Sequence, residues 1–175
     1  MYEVATREIP ERSLLSLKRN VDQQGQWAFG KEFIAILRER PLPKIEGREG
    51  AAFCIQWGWV SDDSDGPVEW CKPVPQAEAH ALAEHYPELT LRTEPAHQEA
   101  FVALPDWSGP DSAVHWQLAI ESLQAWAQEQ EQEHEDERLT IKPEDLGLRI
   151  TYLAPGPVTG TSVPDGYGDF AVPFA

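Results

Sequence analysis

Arg7-Glu8-Ile9-Pro10-Glu11-Arg12, followed by Ser13-Leu14-Leu15-Ser16-Leu17, recurs later in the chain as Arg92-Thr93-Glu94-Pro95-Ala96-His97, followed by Glu99-Ala100-Phe101-Val102-Ala103-Leu104. Two further matches follow in the same order. Ile55-Gln56-Trp57 corresponds to Ile150-Thr151-Tyr152, and Asp65-Gly66-Pro67-Val68-Glu69-Trp70 to Asp165-Gly166-Tyr167-Gly168-Asp169-Phe170. The offset between partners lengthens along the chain, as insertions in loops make it, so the sequence reads as one unit written twice.

Between the matching ends lie matching elements. Trp27, Phe33, Ile34 and Leu37 fall at near-helical spacing within 26–38, and Trp116, Ala119, Ile120, Leu123 and Trp126 do so within 112–128. Short β-rich runs surround them at 2–7, 13–19, 51–60 and 67–74, and again at 89–93, 99–104, 147–153 and 168–174. Pro10 and Pro95 interrupt the first strand of each half and predict a bulge or bend there. Ser61-Asp62-Asp63-Ser64-Asp65-Gly66 is turn chemistry that closes an antiparallel hairpin. A short helical stretch, 76–86, joins the halves and stops at Pro87. The acidic run 129–137 is expected to extend the second helix or fray into solvent. The expectation is one α+β domain over 1–175, made of duplicated β-α-β-β units with antiparallel sheets. Repeat one spans 1–75, the connector 76–87 and repeat two 88–175, with a ligand cleft at the pseudo-twofold.

Composition narrows the function. A 175-residue chain with 41% apolar residues buries roughly 70% of its unfolded surface and needs no staples. No apolar run approaches the roughly 20 residues of a membrane span, so no membrane association is expected. The N-terminus lacks the basic and apolar regions of a signal peptide, which predicts a cytoplasmic protein whose Cys54 and Cys71 are reduced small hydrophobes. Thirty acidic against fourteen basic residues leave a formal charge of −16. That field repels phosphate backbones and concentrates cations, arguing against direct nucleic-acid binding. The histidines show no metal-ligand spacing, and neither a phosphate loop nor a nucleophile elbow is present, so no cofactor or metal is expected.

The paired β-α-β-β units, with Val60 to Val74 closing the first and Asp169-Phe170-Ala171-Val172-Pro173-Phe174 the second, resemble the GyrI-like effector-binding domains along nearly the whole chain. The resemblance implies a domain, standing alone or fused behind the DNA-binding part of MerR-type and AraC-type transcription regulators, that binds drugs and metabolites, frequently lipophilic cations. One branch of standalone members hydrolyses cyclopropane-containing genotoxic natural products. Because the repeat starts at Tyr2 with no DNA-binding segment ahead of it, a standalone binder or an effector domain is expected. A DNA-binding regulator or a second copy of the chain is the macromolecular partner in view. Multidrug-binding members place a ligand-pairing Glu on the penultimate strand, and Ile150 falls at the matching position here.

Strand alternation puts Ile55, Trp57 and Trp59 on one face and Ile150 and Tyr152 on its counterpart. Facing each other across the twofold, they are expected to wall a cleft for flat aromatic or cationic molecules. Glu69, mid-strand between Val68 and Trp70, reads either as a ligand counter-charge, or general acid/base, or as a carboxylate paired with Lys72 or an arginine. Asp169 is its repeat mate, with the same alternatives. No catalytic residue is assigned apart from Glu69 in the hydrolase reading.

Overall fold

The computed structural model describes residues 1–45, 47–58, 60–104, 112–133, 148–152 and 168–174. Among these described residues, eight strands and three α-helices follow in the order β1 (Ala5–Ile9), β2 (Arg12–Val21), α1 (Gln23–Arg38), β3 (Phe53–Gln56), β4 (Gly66–Val74), α2 (Ala79–His85), β5 (Thr90–Glu94), β6 (His97–Leu104), α3 (Ser112–Glu133), β7 (Leu148–Tyr152) and β8 (Gly168–Phe174). The fold is α+β. The strands form one antiparallel sheet, ordered β1-β6-β8-β7-β3-β4-β2-β5, rather than separate sheets. Read inward from its two edges, the sheet runs β1-β6-β8-β7 and β5-β2-β4-β3.

Pro10 and Pro95 do more than bend a strand. Only Pro10 and Glu11 separate β1 from β2, yet the two strands lie six places apart in the sheet. Three residues of chain span at most roughly 11 Å, so the sheet must curl until its two edges come close. Pro95 and Ala96 make the same crossing between β5 and β6. Proline suits both breaks because it has no N–H to give a ladder.

Alternation assigns the two faces. One carries Leu15, Cys54, Val68, Trp70, Ala100, Val102, Ile150, Phe170 and Val172, packed against Phe29, Phe33 and Leu37 of α1 and Ala119 and Leu123 of α3. These spacings make each helix amphipathic. Asp22 starts α1 as N-cap, accepting from the Gly25 N–H at 2.6 Å. Gly30 is glycine for want of room: a Cβ there would stand 2.5 Å from the Trp70 ring. The two helices meet through Trp27 and Trp116, whose rings lie 5.2 Å apart, while Trp116 also packs edge-on against Phe170. The acidic run continues α3 as far as Glu133; its remainder lies outside the described residues.

Candidate functional site

The other sheet face is polar. Arg12, Leu14, Ser16 and Lys18 of β2 stand opposite Glu94 and Arg92 of β5 on one side and Cys71 and Glu69 of β4 on the other. Phe53 and Ile55 of β3 continue the same face, opposite Cys71 and Glu69, and then Arg149 of β7, Asp169 of β8, Glu99 and Phe101 of β6 and Arg7 of β1 complete it.

The ion pairs show that this face is the inside of the curl. Arg149 donates to Glu94, four strands away in the sheet order, and lies 3.4 Å from Glu99 on β6. At about 4.8 Å per strand, Glu94 would be roughly 19 Å off in a flat sheet, beyond an arginine's reach. Arg12 holds the other Glu94 oxygen at 2.5 Å, and His97 contacts Glu99 at 2.9 Å. Phe53 lies under this centre, with the Arg12 guanidinium 4.5 Å and the Arg149 guanidinium 5.9 Å from its ring.

Two flanks extend from this centre. On one, Arg7 binds Glu99 at 2.9 and 3.1 Å and Asp169 at 3.1 and 3.2 Å, and stacks over Phe101 at 4.1 Å. On the other, Arg92 grips Glu69 at 2.7 and 2.8 Å, and the Trp57 indole N–H donates to the same carboxylate at 3.2 Å. Trp57 is half-buried, covering Leu14, Phe53, Ile55 and Cys71, and its backbone is fixed by a bond to the Pro67 carbonyl. Lys18 lies 5.3 Å above its ring.

Burial on its own would raise the pKa of Glu69. The hydrogen bonds and charge of Arg92, with hydrogen bonds from Ser16 and Trp57, outweigh it and hold the carboxylate below its ordinary range. Glu94 is likewise lowered against its burial, by the charges of Arg149 and Arg12 and their hydrogen bonds. Cys71 is buried among these groups, and burial pushes its thiol well above its ordinary value. It is a packed hydrophobe, as its sequence context indicates, with no thiolate to offer near neutrality.

Against the sequence expectations, Ile55, Trp57, Glu69 and Asp169 share the inner face, but Ile150 does not. Ile150 stands opposite Cys54 and belongs to the core under the helices, while Arg149 is the residue opposite Ile55. The cause is a slip of one residue. Glu69 faces Ile55 and Asp169 faces Thr151, so matching Glu69 with Asp169 matches Ile55 with Thr151 and not with Ile150. A slip of one inverts every face assignment on a strand. Tyr152 ends β7 opposite Gly168, with its side chain outside the described residues, as is the whole of Trp59. Of the alternatives read for Glu69, the pairing with an arginine holds, with Arg92 as that arginine, whereas Lys72 donates to the Gly50 carbonyl. Which arginines pair with carboxylates had a signal in the sequence, since Arg7 and Arg92 head its two Arg-x-x-Pro stretches.

Solved structures carry the same architecture. The chain superposes on the EcmrR C-terminal domain with a TM-score of 0.60 and 16% identity, over 100% of this chain and 98% of that one. In the EcmrR–DNA complex it spans 57% of the longer EcmrR chain. It matches SAV2435 bound to tetraphenylphosphonium with a TM-score of 0.54 and 11% identity, over 99% and 94% of the two chains. Its fold is that of the GyrI-like effector-binding domains. A hydrolase from Listeria innocua shares the fold, with a TM-score of 0.53 and 12% identity over 99% of this chain and 92% of that one. No family model and no curated protein matches the chain. On this fold the inner face of the described residues is lined by arginines paired with carboxylates.

Proposed function

We propose that this chain is a small-molecule-binding domain that takes flat aromatic ligands on the inner sheet face and sequesters them or reports them to a DNA-binding regulator. The observation carrying the reading is Trp57: a half-buried indole, locked by Glu69 and backed by apolar side chains, on the inner face of the curled sheet. A ring fixed in this way stacks on a ligand without losing rotamer freedom, which favours affinity. The duplicated layout, with repeats at 1–75 and 88–175, is part of the proposal.

The expected preference for cations finds less support. Glu69 is not a bare counter-charge, because Arg92 occupies both its oxygens. A cation pairing with it would have to displace a half-buried guanidinium. The same contact weighs against the cyclopropanoid-hydrolase reading, since a carboxylate held ionised below its ordinary range has little proton to donate and little basicity. No helix among the described residues is long and apolar enough to cross a membrane.

Tryptophan fluorescence tests the reading. Titration with a panel of flat aromatic compounds should quench emission saturably, and Trp57→Phe should retain binding while removing most of the quench. A panel that leaves the emission unchanged, or quenches both proteins alike, would overturn the site.

A further inference from the structure

The chain carries a formal charge of −16, yet the inner face is not acidic. It presents Arg7, Arg12, Arg92, Arg149 and Lys18 against Glu69, Glu94, Glu99 and Asp169. Cations outnumber carboxylates there by one, and the excess is concentrated on one flank. Around Phe101, every nitrogen of Arg7 is taken by Glu99 or Asp169. Around Trp57 the balance is reversed. Glu69 already accepts two bonds from Arg92 and one from Trp57. Both of its oxygens are engaged, three of the about four acceptor sites of an ionised carboxylate being taken.

Two donors on this flank are spare. The outer Arg92 nitrogen, Nη1, has no hydrogen-bond partner among the described residues, and the side chain is 29% exposed. Lys18 stands directly opposite Glu69 across the β2–β4 ladder, is exposed, and forms no ion pair among the described residues. Its ammonium covers the face of Trp57 on which a ligand would stack. Any ligand must therefore move it. A cationic ligand would lose that contact and meet two like charges; an anionic one keeps the ammonium as a partner on its flexible stem.

We propose that the Trp57 flank selects an aromatic monoanion: the ring stacks on Trp57, and a carboxylate at the ring's edge is received by Arg92 Nη1 and Lys18. This inference rests on the small-molecule-binding reading above and specifies its ligand class as an aryl carboxylate.

Three probes of one shape separate the outcomes: 2-naphthoate, its neutral amide 2-naphthamide, and 2-naphthylmethylammonium, titrated into the full chain by fluorescence and calorimetry, with tetraphenylphosphonium as a cationic control. Charge-assisted hydrogen bonds predict that naphthoate binds at least about tenfold tighter than the amide, with the ammonium weakest. In Lys18→Gln, whose side chain is exposed and whose loss should not disturb folding, naphthoate should lose about fivefold or more of its preference over the amide, and the amide, freed of the ammonium that covers Trp57, should bind no more weakly. Arg92→Lys, which keeps the charge beside Glu69, should also reduce the naphthoate preference by removing the fork. Equal affinities for naphthoate and amide, or tighter binding of either cation, would overturn the anion proposal, and sensitivity of that binding to Trp57→Ala would leave the site reading standing. If none of the four compounds binds, both readings fail.

Discussion

Arg92 reaches across the intervening strand β2 to hold both oxygens of Glu69, at 2.8 and 2.7 Å, from the edge strand β5. Glu69 is buried while Arg92 is half-buried, and removing the arginine leaves the carboxylate in a poor solvent. Arg92→Met should lower the unfolding free energy by about 1 to 3 kcal/mol. The double variant Arg92→Met/Glu69→Leu should recover most of that loss. Urea denaturation of the three proteins checks this, and a double variant as unstable as the single one would show that packing, rather than the stranded carboxylate, sets the loss.

Stability should depend on acid pH in a direction set by Glu69 and Glu94. Both have pKa values lowered on folding from about 4.5, so in the window below that value the unfolded chain binds more protons than the folded one. Their contribution is complete above the unfolded pKa and is lost as pH falls through the folded values. Melting temperature should therefore decline as the pH drops below about 4.5, and less steeply in Glu69→Gln. Identical slopes for the wild type and the variant would remove Glu69 from the linkage.

Gly30 offers a test of the helix-to-sheet packing. Alanine favours a helix interior over glycine by about 1 kcal/mol, yet its Cβ would meet the Trp70 ring at 2.5 Å. Overpacking should win, so Gly30→Ala should destabilise by about 1 to 3 kcal/mol. Calorimetric melting decides it. A higher melting temperature would mean that α1 shifts away from Trp70 at little cost.

Trp57→Ala should separate binding from folding. Stacked-ring losses predict ligand binding weakened by about 1 to 3 kcal/mol, with the sheet retained because Leu14, Phe53, Ile55 and Cys71 still pack beneath it. Titration calorimetry with far-ultraviolet circular dichroism measures both. Loss of the β-sheet spectrum would reassign Trp57 to the core.

A crystal structure should let residues 1–75 and 88–175 be overlaid. The overlay should place Arg7 with Asp169 on Arg92 with Glu69, and Ile55 on Thr151. An overlay that instead sets Ile55 on Ile150 would contradict the pairing of the two carboxylates.

The sequence by itself determined the elements and their kind. Its repeated Arg-x-x-Pro stretch, two amphipathic helices, turn-rich hairpin and alternating Val68-Glu69-Trp70 were enough for an α+β fold with a GyrI-like likeness, because these signals are local and are read within one element. They also placed Ile55 and Trp57 on one face. Only the tertiary structure decided which half each strand joins, that the prolines are crossings between distant places in a single sheet, and that Ile150 turns to the helices while Arg149 turns inward. Only it decided between the readings left open for Glu69 and Asp169, pairing them with Arg92 and Arg7 from other strands. The physical reason is common to these results: side-chain facing inverts with a one-residue shift of register, and ion-pair partners are chosen by proximity across the curled sheet, which no spacing along the chain records.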